Sequence, residues 1–229
     1  MNHAVLGASG RTGRLVVEQA LAAGHTVTAL VRSPEKLTMG NSNLRVVAGQ
    51  ATVMSDVSRA LEGTDAVIST LGGGSVIADS TPAIVAAAGE AGVSRVVVLS
   101  SWLVERDRMD AVTRLLTGIA MGPVIKDQSA GVQILRRSDL EWTIVYASVL
   151  TDGPAEGSVA ELPDGAKRRM SQKISRADVA AWMVQAAAGV QYSRRAVGIT
   201  GLTRTRETSH SRTPERDRPS ASLPRSDSL

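Results

Sequence analysis

The chain lacks cysteine and phenylalanine altogether and has only two tyrosines among its 229 residues. Without cysteine, disulfides, thiolate metal ligands and a cysteine nucleophile are all excluded. The histidines are His3, His25 and His210, which are scattered along the sequence, so we expect no metal site built on them. The shortage of aromatic side chains also argues against a protein that stacks the bases of single-stranded nucleic acid.

Long hydrophobic runs are missing as well. No apolar segment approaches the roughly 18 residues of a membrane span, and the first predicted strand stands where a signal peptide would begin. We therefore expect a cytoplasmic protein with no membrane partner. The net charge is +4, and half of it comes from six arginines and four acids in residues 202–229. The rest of the chain is close to neutral, so we expect no nucleic-acid partner.

Aliphatic residues make up most of the hydrophobic content. The hydrophobic fraction is 43%, and it comes mainly from Ala, Val, Leu and Ile. That content suffices for one domain with a substantial core, which we place at residues 1–201. Residues 202–229 are rich in Ser, Thr, Arg and Pro. Such a composition cannot bury a core, so we predict a disordered tail. A solvated extension is favoured over a regulatory or partner-binding tail.

The opening residues, 2–32, predict a strand, a glycine turn, a helix and a second strand. Gly7, Gly10 and Gly13 follow a short apolar run, and the helix pattern stops at Gly24. In a dinucleotide site one such glycine permits the tight turn, another lets the backbone approach a pyrophosphate, and a third lets the helix pack on the strand. The helix N-terminus then offers N–H groups to the phosphates. This context favours a dinucleotide site over an ordinary glycine turn.

The end of the second predicted strand indicates which dinucleotide is bound. NAD sites usually place an acid about 20 residues after the glycines, whereas this chain has Arg32 and Ser33 there and no acid between the end of that strand and Glu35. A guanidinium matches a phosphate with forked donors, and we expect Arg11 near the same ribose. We therefore predict NADP(H) as the cofactor. The alternative is that Arg32 is only a solvated strand end.

Alternation of strand and helix patterns continues through the chain. Strands are predicted at 44–48, 65–71, 96–99, 141–146 and 196–199, and helices at 56–61, 81–91, 129–137 and 175–188, the last capped by Ser175. Residues 110–120 fit a helix or an active-site loop, and residues 147–173 fit a substrate-covering segment. This pattern predicts an α/β fold of Rossmann type, a doubly wound parallel sheet flanked by helices, with a small C-terminal covering region.

Several segments carry a family resemblance over residues 2–200. They are GASGRTG (7–13), the VR that ends the second strand, DAVISTLGG (65–73), VVVLSS (96–101), SDLEWTIVYASVLTDGPAEG (138–157) and ISRADVA (174–180). In this order they resemble the NmrA-like group of atypical short-chain dehydrogenase/reductase proteins, and within it the biliverdin reductase B (flavin reductase) type. The glycine turn is shared by many families, and the later segments are more specific.

The resemblance implies an NADPH site across the carboxyl ends of the strands. By resemblance the pyrophosphate contacts are Gly7, Ser9, Gly10, Arg11, Thr12 and Gly13; the 2′-phosphate contacts are Arg32 and Ser33; the adenine contact is Gln50; and Leu71, Gly72 and Ser100 lie near the ribose and nicotinamide. Ser101 matches the active-site serine of the biliverdin reductase B type. This chain departs from its relatives where Gln50 replaces an aspartate and Val149 a histidine. It also has no Tyr-x-x-x-Lys pair.

The candidate catalytic residues are Ser101, Tyr146 and Asp127, since reduction of a ketone usually needs a positioned acid. The serine and the tyrosine are predicted at carboxyl ends of strands, where open α/β sheets bind ligands. Tyr146 serves equally well as an aromatic that closes the pocket, and Asp127 as a helix N-terminal charge. Trp102 and Val149 are the predicted walls of the substrate pocket, although a core position suits the tryptophan equally.

These residues predict an oxidoreductase that passes hydride from NADPH to a small conjugated acceptor, such as a flavin, a quinone or a ketone-type metabolite. Two alternatives remain open, because a fold alone does not fix a function. One is a non-catalytic NADP-binding sensor of NmrA type. The other is a non-redox isomerase or cyclase that uses the same pocket. The expected partner is a small-molecule substrate, and both a monomer and a homodimer fit the sequence.

Overall fold

The computed structural model describes residues 1–73 and 75–202. The strands are β1 (Asn2–Leu6), β2 (Thr26–Val31), β3 (Leu44–Ala48), β4 (Ala66–Ser69), β5 (Arg95–Ser101), β6 (Glu141–Ala147), β7 (Val149–Thr151), β8 (Val159–Leu162), β9 (Lys173–Ser175) and β10 (Arg195–Gly201). The helices are α1 (Arg11–Ala22), α2 (Met54–Leu61), α3 (Val76–Ala91), α4 (Ala111–Arg137) and α5 (Arg176–Ala187).

One eight-stranded sheet organises the molecule, in the order β3-β2-β1-β4-β5-β6-β10-β8. All neighbours in it are parallel except β8, which pairs antiparallel with β10 at the edge. The chain order of the strands reverses at β1, which pairs with both β2 and β4. The predicted doubly wound Rossmann-type fold is confirmed, and ligands of such sheets bind at this reversal point, outside the carboxyl ends of the strands.

Two hydrophobic layers cover the faces of the sheet, because alternate residues of each strand point to opposite sides. Val5 and Ile68 are buried with the helices α1 and α5, and the layer includes Val16 and Met183. The neighbouring strand residues face α2, α3 and α4 instead. Burial on both faces explains why the strands read as nearly continuous apolar runs.

Helix α4 consists of two helical parts that meet at a kink. The sequence favoured a helix or a loop at 110–120 and a separate helix at 129–137; the structure is helical in the first segment, and the second helical part begins earlier than predicted, after the kink at Met121. It begins at Asp110, whose carboxylate accepts the N–H of Thr113 at 2.9 Å. It is kinked where Met121 leaves helical dihedrals (φ −128°), two residues before Pro123. Proline disturbs the preceding turn, and the buried residues of α4 all lie after it, from Ile125 to Leu135.

The segment at 147–173 also contains more regular structure than the sequence indicated. Strand β7 pairs in parallel with β9, and β8 extends the main sheet. Ser175 caps α5 as predicted, with its hydroxyl accepting the N–H of Asp178 at 2.9 Å. The predicted tail at 202–229 lies outside the described residues, apart from Leu202. Within the described ranges, no helix combines the length and the apolarity that crossing a membrane requires.

Candidate active site

The glycine turn forms the centre of the cleft. Strand β1 ends at Leu6, and Gly7 then adopts φ +80°, a conformation that side chains with a Cβ rarely tolerate. The N–H of Gly10 donates to the carbonyl of Gly7 at 2.9 Å. Gly13 packs on that same carbonyl so closely that a Cβ there would collide with it. Gly7 and Gly13 thus serve the turn and the helix packing, as the sequence predicted for glycines at this spacing.

The N-terminus of α1 suits an anion. Gly10 occupies the N-cap, no side chain of the described residues caps the helix there, and the first turn carries no acid. The first N–H groups of a helix have no partner within the helix and carry a partial positive charge. The turn therefore meets the physical requirements of a diphosphate site.

A cavity of about 570 Å³ lies beside this turn. Its lining includes the predicted residues Gly7, Ser9, Gly10, Arg32, Gln50, Leu71 and Gly72. Lys36 also lines it, a residue that the sequence analysis missed. Ser33 is not among the described lining residues. The backbone N–H of Gln50 is held by Asp56 at 2.8 Å, and this hydrogen bond, with the Arg59 guanidinium, lowers the pKa of the aspartate.

Arg11 is predicted from the sequence to lie near the same ribose as Arg32. Its guanidinium forms an ion pair with Asp152, which follows β7. Arg11 lines a second cavity, on the other side of the glycine turn from Arg32. The ion pair with Asp152 does not favour the expected placement of both arginines at one ribose, which stays a prediction.

This second cavity has a volume of about 630 Å³ and joins the first, since Gly10, Thr70, Leu71 and Gly72 line both. The predicted residues Thr12, Ser100, Ser101, Trp102 and Val149 all line it. Much of the remaining wall is apolar and consists of Leu99, Leu103, Met121, Leu150 and Met170. The two cavities form one continuous cleft along the carboxyl ends of the strands.

Ser101 is held in place at the end of β5. Its hydroxyl oxygen accepts the N–H of Leu103 at 3.2 Å, and its own backbone N–H donates to Gln128 at 2.9 Å. The hydroxyl of Ser100 also lies 3.4 Å from this amide oxygen. Gln128 belongs to α4 and lines the cavity, and no local sequence pattern marked it. Because an N–H occupies the oxygen of Ser101, its hydroxyl proton remains available to a ligand.

Tyr146 lies within the hydrophobic layer on the α3 and α4 side of the sheet and is only 3% exposed. It is not among the described residues that line the cleft. Burial raises the pKa of its phenol, and the charge of Arg136 only partly opposes this effect. The geometry favours the second interpretation of this residue, a packing aromatic, and its role as a proton donor stays a prediction.

Asp127 is buried within α4, where its carboxylate accepts the N–H of Ile77 at 3.2 Å and that of Ala78 at 2.8 Å. It therefore carries the helix N-terminal charge that was the alternative prediction, although the helix it stabilises is α3 and not its own. It is not among the described residues that line the cleft. Its catalytic role also stays a prediction, and the contacts favour a structural one.

A larger cavity of about 740 Å³ lies beside β9 and the N-terminal end of α5. Its lining includes Asp178, whose carboxylate already accepts the hydroxyl of Ser175 and the N–H of Gly157. None of the described glycine-turn residues reaches it. Size alone therefore does not identify the candidate site. Across residues 1–73 and 75–202, no cluster of three or more His, Asp or Glu side chains is placed to hold a metal ion.

Comparison with known protein families agrees with this geometry. The sequence model of the family described as NAD(P)H-binding matches residues 7–189. A curated relative from Streptomyces griseus, (4-alkanoyl-5-oxo-2,5-dihydrofuran-3-yl)methyl phosphate reductase, is 30% identical over 203 residues, which cover 86% of this chain and 67% of the relative.

Solved structures share the fold. ChuY from Escherichia coli O157:H7, described as an anaerobillin reductase, superposes with a TM-score of 0.75 at 22% identity, covering 88% of this chain and 97% of its own. A short-chain dehydrogenase/reductase from Veillonella parvula, in complex with NADP, gives a TM-score of 0.74 at 18% identity, covering 87% and 94%. At these identities the likeness extends to the fold.

Proposed function

The chain belongs to the NAD(P)H-binding family, and from that premise we propose that it is an NADPH-dependent reductase acting on a small conjugated acceptor. Within the family we assign it to the NmrA-like group, next to the biliverdin reductase B type, on the motifs quoted above. The observation that carries the proposal is the continuous cleft. One end has the features of a dinucleotide site, and the other is a mainly apolar cavity large enough for an aromatic or conjugated ring.

The choice of NADPH over NADH rests on the charge of the adenosine end. Arg32 and Lys36 line that cavity, and no acid is among its described lining residues. A carboxylate would favour the free ribose hydroxyls of NADH, whereas two cations favour a 2′-phosphate. Gln50, with its backbone fixed by Asp56, offers an amide to the adenine.

The bound cofactor would supply the hydride, and the residues of the chain would orient it and steady the acceptor. Ser101 lines the mainly apolar part of the cleft at the end of β5, and its free hydroxyl proton can be donated to a carbonyl oxygen on which negative charge develops. Gln128 fixes the backbone of this serine. A flavin or quinone needs less help, since water can protonate the reduced product.

The relatives support a conjugated acceptor. The Streptomyces griseus protein is named for a dihydrofuran ring that carries an oxo group, an alkanoyl group and a methyl phosphate. That compound combines a carbonyl-bearing ring with an anionic substituent. We take the class of substrate, and not this compound, as the expectation for the present chain.

The deciding experiment follows the loss of nicotinamide absorbance with a panel of flavins, quinones and conjugated ketones, alongside thermal-shift titrations with NADPH and NADH. Turnover with an acceptor and a larger thermal shift for NADPH support the proposal. A shift without turnover favours a second candidate, an NADP-binding sensor. The burial of Tyr146 away from the cleft, in a chain without a Tyr-x-x-x-Lys pair, favours that candidate. No shift with either nucleotide would overturn both.

A further inference from the structure

Two arginines from different helices meet at the acceptor end of the cleft. Arg11 opens α1 and Arg176 opens α5, and both line the cavity of about 630 Å³. Among the described residues that line this cavity they are the only charged ones. The cavity therefore has an apolar body and two guanidinium groups, with no carboxylate in its described wall.

Asp152 holds these arginines together from outside the wall. One of its oxygens pairs with Arg11, and the other lies 2.8 Å from Nη1 of Arg176. Each guanidinium uses a single nitrogen in these contacts. Since arginine presents its donors as a planar fork, most of them stay free for a further oxyanion. The exposed carboxylate thus orients the pair without saturating it.

Arg176 is the better placed of the two to anchor a ligand. Its side chain is 15% exposed, against 65% for that of Arg11. A partly desolvated guanidinium binds an anion more strongly than a fully hydrated one, because the local dielectric is lower. Its backbone is also fixed, since Ser175 caps the helix that it opens.

We propose that the acceptor carries an oxyanion, a phosphate or a carboxylate, that binds Arg176 with support from Arg11 while its conjugated ring lies against the apolar wall near Trp102 and Val149. This assignment rests on the proposed reductase function and names its substrate class. Arg176 lines the acceptor cavity and is not among the residues that line the adenosine end. The anion it holds is therefore not the 2′-phosphate at the adenosine end, and the measurement of NADPH affinity below separates the acceptor from the cofactor's diphosphate.

The test uses FMN and riboflavin, which share one reducible ring and differ by a phosphate. For each flavin, kcat/KM is measured with saturating NADPH for the wild-type protein and for Arg176→Gln, Arg176→Lys and Arg137→Gln. The last variant removes the same charge from the exposed end of α4. We expect the wild type to favour FMN by roughly tenfold, the size of one charge-assisted hydrogen bond. Arg176→Gln abolishes this preference, Arg176→Lys restores part of it, and Arg137→Gln keeps it.

Several results would overturn the inference while leaving the reductase function intact. One is equal use of both flavins by the wild type. Another is an FMN preference that survives in Arg176→Gln. A third is a loss of NADPH affinity in Arg176→Gln as large as its loss of FMN activity, which would assign the arginine to the cofactor. If neither flavin is reduced, that result contradicts the proposal that the protein reduces flavins and does not test the anion site. Equilibrium binding of FMN and riboflavin to the NADP-loaded protein and to Arg176→Gln then decides the anion site by the same comparison.

Discussion

The Oδ1 atom of Asp127 accepts a hydrogen bond of 2.8 Å from the backbone N–H of Ala78, which ties the middle of α4 to the first turn of α3. Its second oxygen accepts the N–H of Ile77. We predict that Asp127→Ala lowers the free energy of unfolding by about 2 kcal/mol, because both N–H groups lose their partner. Urea denaturation measures this loss.

Asp127→Asn and Asp110→Ala provide the controls for this prediction. The asparagine keeps one acceptor for α3, so its loss of stability should be smaller, and Asp110→Ala removes only an exposed cap. All three variants should turn over normally when folded. An Asp127→Asn protein that is stable and binds NADPH normally but does not turn over would instead indicate that the carboxylate of Asp127 is the proton donor.

The proposed preference for NADPH depends on Arg32, which lines the adenosine end of the cleft. We predict that Arg32→Gln weakens NADPH binding by about tenfold or more, because a charge-assisted contact to the 2′-phosphate is lost. The affinity for NADH, which lacks this phosphate, should change little. Fluorescence titration of both nucleotides provides the measurement, and Arg45→Gln on the neighbouring strand is the matched control. An equal loss of affinity for both nucleotides would show that Arg32 does not bind the 2′-phosphate.

Local sequence patterns predicted the features that depend on neighbouring residues. The bounds of β3, Leu44–Ala48, agree with the prediction, and so does the cap of α5 at Ser175. The glycine turn could also be predicted, since the strand before it, the glycine with positive φ (Gly7) and the helix after it all lie within about two dozen residues.

Features that depend on contacts between distant parts of the chain could not be predicted from local sequence patterns. Arg11 finds its partner in Asp152, which is 141 residues away. Gln128 reaches Ser101 only because α4 packs closely on α3, where a Cβ on Gly131 would lie 2.6 Å from the side chain of Ile77. Neither hydrophobic periodicity nor a sequence motif predicts these two contacts, because they form only when the helices and strands pack together.

His3 makes the stability of the fold depend on pH. Its ring is buried on β1, neither ring nitrogen has a partner among the described residues, and the ring of His25 lies 4.8 Å away. Burial lowers the pKa of His3 from 6.5 to about 4, with the charges of His25 and the N-terminus adding to the effect. Between these two values the unfolded chain binds a proton that the folded protein does not, so stability falls as the pH falls.

We expect this group to remove up to about 3 kcal/mol of stability as the pH drops from about 6.5 to about 4. Urea midpoints across that range measure the slope. His3→Leu should flatten it, whereas His25→Gln, at the half-buried neighbouring ring, should retain most of it. A wild-type slope that His3→Leu leaves unchanged would assign the effect to other groups.

Ser101 should matter most for acceptors that need a proton. We predict that Ser101→Ala lowers kcat for a conjugated ketone by about 10²-fold, a typical contribution of one positioned donor, because the hydroxyl that faces the cleft is lost. The loss for a quinone should be much smaller, since water can protonate its product. Ser138→Ala, which removes a serine hydroxyl at the far end of α4 from the cleft, is the matched control. Thermal-shift titration with NADPH separates a catalytic loss from a folding defect, since the cap of Ser101 on Leu103 is removed as well. Equal losses for ketone and quinone with a lowered melting temperature would mean that the serine acts only by holding the end of β5.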